Sequence, residues 1–404
     1  MSLRFGPLAL AAAVARTATT RDNAPIAVLE ALQNSTLPML EAMVDDGTTF
    51  GLSPDFQYLA DTERVFLAAR VGAGITDLYM NTLGYTWRAN AACLTGALDP
   101  HADFIYDGGN ASGHGVVLAE AHGTFAATAN ARSVHLQAKN KYLRQVKPHL
   151  AVTSPYGKVI HGYSVAFGSS PKTPGAFLSL SEPKPTRPKR EKRFPPPQQP
   201  PFPRDQAPQT SIALATHRSN FFLMGSDQIV GWIDWAGSLD SRPPEPSAVA
   251  FLRIRYAGRP YLVHPSSFWW PGLEHERLED FFEFRYYWHH RLRWTPGYRE
   301  RRMLNLGWYA MDENAGVTFL SALTQIIREG GRSLPATLPL PSNVPAGFGA
   351  DEGSVGEMRE ASDYQYALFR DGLALLGDPH RGRLLGALEW SPKEGVRLIT
   401  DTSQ

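Results

Sequence analysis

The 404-residue chain holds a single cysteine, Cys93. One thiol cannot close an internal disulfide, so nothing in the cysteine usage indicates an oxidising compartment. Cys93 reads as a small buried hydrophobe rather than a nucleophile. Long apolar runs are also missing, and no stretch approaches the ~20 residues that a membrane-spanning helix needs. The formal net charge is only +1, so no global field recruits nucleic acid or an anionic membrane, and any basic surface must be local. There is no P-loop, no Gly-x-Gly-x-x-Gly after a strand and no Gly-x-Ser-x-Gly elbow, which argues against NTPase and common dehydrogenase chemistry. His101, His114, His122 and His135 fall in one stretch, but their spacing fits no familiar zinc pattern and only Cys93 lies near them.

What is present has the balance of an ordinary globular protein, with 43% hydrophobic and 20% charged residues. The length suggests two domains. Arg4 followed by the apolar run Pro7 to Ala15 mimics a short signal peptide, yet its composition is mostly alanine, the best helix former. The expectation is an alanine-rich helix in a cytoplasmic protein.

Apolar residues at helical spacing predict helices over about 24–47 and 61–83, the second with Gly72 and Gly74 marking a kink or a close approach. Short extended segments follow at Tyr85–Trp87, Asp103–Tyr106 and Gly115–His122, with a turn signal at Asp107–Asn110 between the last two. Gly115–His122 is apolar enough for a central buried strand. A helix over 130–147 stops before Pro148, and Val159–Phe167 reads as another strand. Pro183 to Pro208 is proline-rich and basic, with a cluster from Arg187 to Arg193, and reads as a linker. Beyond it come a helix over Ser211–Trp235, a hairpin of Ala248–Tyr256 with Arg259–Val263, an aromatic helix over Leu278–Arg293 and a helix near Gly316–Glu329. Pro/Gly-rich loop follows over 334–362, with short strands near Tyr364–Phe369, Gly386–Trp390 and Val396–Ile399. The expected organisation is a helical segment over 1–54, an α/β core with a mixed sheet and flanking helices over 55–180, a linker over 181–209 and an α+β part over 210–404.

One constellation stands above this background. Asp103 opens a strand, and the next strand ends in Glu120-Ala121-His122-Gly123. Residues two apart on a strand share a face, so Glu120 and His122 point the same way and Asp103 can reach them from the neighbouring strand. Two hard carboxylates a few ångströms apart form a site for Mg²⁺ or Mn²⁺. Such an ion polarises a phosphodiester and activates its bound water. The following helix carries Gln137 and Lys139, and an upstream helix carries Glu63.

The order helix, strand, strand, strand, helix, strand, with these residues in it, resembles the PD-(D/E)xK nuclease superfamily, which includes restriction endonucleases. The resemblance covers about residues 55–168. Asp103 matches the family aspartate, Glu120 the second acidic residue, and His122 stands where the family has lysine. Gln137 and Lys139 match a helical Gln-x-Lys element, and Glu63 an additional metal-binding glutamate. The resemblance implies a metal-dependent nuclease acting on nucleic acid, DNA ahead of RNA, with a bacterial defence role by analogy, and a protein partner or homo-oligomer as a further possibility.

Histidine at position 122 leaves three outcomes open. The site is active with an altered metal or pH preference, a lysine from elsewhere such as Lys139 supplies the charge, or the fold is catalytically inactive and serves nucleic-acid binding or assembly.

Overall fold

The computed structural model describes residues 3–21, 24–45, 49–94, 100–107, 115–183, 210–237, 242–265, 308–329, 365–377 and 382–399. The basic cluster 187–193, the aromatic helix expected over 278–293, the loop 334–362, the turn at 108–110 and the Cys93 side chain lie outside the described residues.

Helices α1 (Pro7–Thr19) and α2 (Ile26–Met43) open the chain. The two-residue strands β1 (Val44–Asp45) and β2 (Gly51–Leu52) pair with each other. Helix α3 (Asp61–Thr82) leads into β3 (Arg88–Asn90), β4 (Phe104–Asp107) and β5 (Gly115–Thr124). Helix α4 (Ala131–Lys141) continues through a π turn and a 3-10 turn to His149. Strands β6 (Thr153–Ser154), β7 (Gly157–Ser170) and β8 (Thr173–Ser181) complete the N-terminal half.

The six-stranded sheet of this half runs β3-β4-β5-β7-β6, with β8 on the far part of β7. It is mixed: β5 and β7 are parallel, joined by the α4 crossover, and the other pairs are antiparallel. A parallel pair needs such a crossover, and the helix covers one sheet face. Leu118 and Gly162 of that face meet Val146 from the turn after α4. The opposite face meets α3.

Close approach of α3 requires glycine. A Cβ on Gly123 would sit 1.7 Å from the Ala68 carbonyl oxygen, and one on Gly72 would sit 2.5 Å from the Gly123 nitrogen. Both contacts are with backbone, so neither can be relieved by a rotamer change.

The C-terminal half carries α5 (Thr210–Leu223), α6 (Asp227–Ala236), β9 (Val249–Tyr256), β10 (Arg259–Val263), β11 (Trp308–Asp312), α7 (Glu313–Glu329), β12 (Tyr366–Leu368), β13 (Leu373–Leu376), β14 (Arg383–Ser391) and β15 (Gly395–Ile399). Its seven strands form an antiparallel sheet in the order β12-β13-β11-β10-β9-β14-β15. The helix expected over 211–235 is two helices, broken at Gly225, whose φ of 72° lies in the left-handed region that ends helices. The fold is therefore α/β with a mixed sheet in the first half and α+β in the second.

Helix α1 joins the halves. From Leu8 to Thr19 every residue is buried. Val14 packs beside Gly74 of α3, and Leu8 reaches Gly377 beyond β13. The Thr19 and Ser219 hydroxyls are 2.7 Å apart. Arg16 Nη2 donates to Asp371 Oδ2 at 2.8 Å, and Arg88 Nη1 lies 3.4 Å from the same oxygen. Asp77 of α3 faces both arginines, at 3.4 and 3.6 Å. All four side chains are fully buried. Two cations against two anions leave the cluster neutral, which is what makes so dry a charge cluster tolerable. Among the described residues no helix is long and apolar enough to cross a membrane.

Candidate active site

Strand register builds the site. Phe104 of β4 pairs with Ala119 of β5 in antiparallel fashion, so Asp103, one residue earlier, falls opposite Glu120. The Asp103 carboxylate is anchored there, accepting a hydrogen bond from the Ala121 backbone N–H at 2.9 Å. The loop before Asp103 is tied to the turn after α4. Gln145 donates to the His101 carbonyl at 3.0 Å, and His149 Nε2 lies 3.0 Å from the Pro100 carbonyl.

Glu120 is only 1% exposed. The two-residue period of β5 puts it and His122 on the face that carries Leu118, toward α4. Across the parallel ladder Glu120 is level with Ser164 of β7. From α4, Lys141 Nζ reaches Glu120 Oε1 at 3.0 Å. Burial, with the adjacent Asp103 carboxylate adding to it, pushes the Glu120 carboxyl up to about 8, against the opposing pull of Lys141. Burial and then Lys141 lower the His122 pKa, against a smaller opposing effect of Asp103. His122 is therefore mainly neutral near pH 7.

The structure thus brings Asp103, Glu120, His122 and Lys141 together. Of the other expected residues, Gln137 shares the Lys141 side of α4, while Lys139 and Glu63 stand apart. Lys139 is exposed; the cation at Glu120 is Lys141, and the expectation of Lys139 there is corrected by helix geometry. Gln137 lies one turn before Lys141 on the same helix stripe, whereas a residue two positions on points to the other side. Glu63 sits in the first turn of α3, and it is not among the groups that act on Glu120 or His122.

Ser164 escaped the sequence reading, since a serine in an apolar strand carries no motif. The signal for Lys141 was present in its spacing of four from Gln137.

Asp103 and Glu120 are the residues here that could hold a divalent cation. Three buried oxygens on this side of the sheet have no hydrogen-bond partner among the described residues: Glu120 Oε2, Ser164 Oγ and Gln137 Oε1. A buried oxygen without a partner is costly and marks a place for water, an ion or a ligand group. Among the described residues no group of three or more His, Cys, Asp or Glu is placed to hold a metal ion, so His122 stands near the two carboxylates without meeting them at one point. The donor set is thus a carboxylate pair, which suits Mg²⁺ or Mn²⁺, because these ions keep waters and share substrate phosphates rather than filling a protein cage.

Comparison with protein-family models, curated proteins and solved structures returned no match. The site therefore stands on its own geometry. It offers a carboxyl pair that becomes fully anionic once a cation displaces the Glu120 proton, a neutral imidazole able to accept a proton, and an ammonium able to face a phosphate.

Proposed function

We propose that the chain is a metal-dependent phosphodiesterase acting on nucleic acid. The observation that carries this reading is the meeting of Asp103 and Glu120 across adjacent strands with Lys141 3.0 Å from Glu120. A bound Mg²⁺ or Mn²⁺ would polarise the phosphodiester and make a water acidic enough to attack.

The chain's own residues do the rest. Asp103 and Glu120 would hold the ion. His122, kept neutral by burial and by Lys141, takes the proton from the attacking water on a ring nitrogen. Lys141 turns its ammonium toward the charge that grows on the phosphoryl oxygens, the task that histidine at 122 leaves open. Gln137 and Ser164 supply polar oxygens that orient water around the carboxylates.

Purified protein incubated with plasmid, single-stranded DNA and RNA in Mg²⁺ or Mn²⁺ should cleave at least one of them, and an Asp103→Ala/Glu120→Ala variant should not. Equal cleavage by both proteins would discard the site. Binding without cleavage in either metal would replace this reading with that of a nucleic-acid-binding protein on the same core.

A further inference from the structure

From Ala121 to Ser181 the chain contains no aspartate or glutamate. It does contain Arg132, Lys139, Lys141, Arg144, Lys147, Lys158 and Lys172. At the chain's average of 39 acidic residues in 404, a stretch of this length would carry about six. The near-neutral total hides this segregation. Lys141 turns inward to Glu120, and the other six cations are all exposed.

The fold lays them out in order. Helix α4 runs against β7, with Val134 beside Gly168 and Val146 beside Gly162. Ser170 donates to the Ala127 carbonyl, which brings the β7–β8 turn and Lys172 to the start of α4. At the other end Ala151 donates to the Val159 carbonyl, which brings Lys158 up to the turn that carries Lys147. Lys172, Arg132, Lys139, Arg144, Lys147 and Lys158 therefore follow one another along the α4 layer. Strand β7 gives the length of this band, about 40 Å at ~3.3 Å per residue.

We infer that this band is a docking surface for the phosphate backbone of duplex DNA. A run of cations uninterrupted by carboxylates within its own segment complements a polyanion of regular charge spacing, and its length matches about 12 base pairs at ~3.4 Å each. A single-strand groove needs aromatic platforms on which successive bases stack. Helix α4 and the turn after it expose no Phe, Tyr or Trp, and the adjoining β8 offers one half-exposed ring, Phe177. The band shares its substrate class with the proposed phosphodiesterase, but it rests on a separate observation.

The test is salt-dependent binding of the full chain to a fluorescent 20-base-pair DNA in EDTA, so that cleavage plays no part. An Arg132→Gln/Lys139→Gln/Arg144→Gln/Lys147→Gln variant should bind at least tenfold more weakly near 0.1 M salt. Its slope of log K against log salt should be shallower by about 3 to 4, close to one per lost phosphate contact. A control that removes as many exposed cations from the other sheet, Arg255→Gln/Arg383→Gln/Lys393→Gln/Arg397→Gln, should bind as the wild type does. Equal behaviour of the two variants overturns the inference. So does a wild-type preference for duplex RNA, single-stranded DNA or anionic phosphatidylserine vesicles over duplex DNA. The expected salt dependence in EDTA together with no cleavage by the wild type in Mg²⁺ or Mn²⁺ would count against the catalytic reading alone.

Discussion

At the residue scale the proposed chemistry turns on which lysine serves the carboxylates. Lys141 touches Glu120 at 3.0 Å, while Lys139 faces solvent. Lys141→Met should therefore lower the single-turnover cleavage rate by about 100-fold or more, the size expected when a donor to a developing oxyanion is removed. Lys139→Met should change that rate by no more than about twofold. Lys141→Arg should recover part of the loss, because a cation is restored without the same reach. A Lys141→Met loss of no more than about twofold would remove Lys141 from the chemistry. The shared face of Glu120 and His122 was legible in the sequence because strand alternation alone sets it, and the β4–β5 register puts Asp103 opposite Glu120. Lys141 was legible only through the helical period, and Ser164 not at all, since its place is set by a parallel ladder that sequence spacing does not reveal.

At the element scale the site depends on how tightly α3 seats against β5. Gly123 follows His122 directly and takes the Ala68 carbonyl where a Cβ would otherwise be. Gly123→Ala must move either the strand or the helix. It should cost about 3 kcal/mol in urea unfolding, in the upper range for overpacking against an unyielding neighbour. A variant as stable as the wild type would mean that α3 stands off from the strand. The sequence announced this contact only as a pair of glycines, Gly72 and Gly74, inside a helical pattern. It marked β5, β7, the β9–β10 hairpin and α7 through clean periodicity or long apolar runs. It did not mark β11 or β13, short segments buried almost throughout, because a strand covered on both faces has no alternation to read. The α5–α6 break was hidden for a different reason: one glycine interrupts an apolar pattern that continues on both sides of it.

At the scale of the whole molecule, two features escape any local reading. The first is α1, whose alanines look like a leader peptide in sequence and in the fold fill the space between α3, α5 and the C-terminal sheet. Its Arg16, with Arg88, Asp77 and Asp371, forms a buried neutral cluster drawn from residues up to 355 positions apart. The second is the segregation of charge, since a net charge of +1 conceals a 61-residue stretch with seven cations and no acid.

The central claim, that two carboxylates from adjacent strands hold a divalent cation, is tested most directly by Mn²⁺ binding to the metal-free protein as a function of pH. Because Glu120 carries its proton up to about pH 8, the ion must displace that proton. Affinity should therefore climb from pH 6 by up to about tenfold per unit and flatten above pH 8. One Mn²⁺ per chain is expected, with affinity falling at least tenfold in Asp103→Asn and in Glu120→Gln, and with the pH climb lost in Glu120→Gln. Mn²⁺ affinity unchanged by both substitutions, or independent of pH between 6 and 8, would contradict the account.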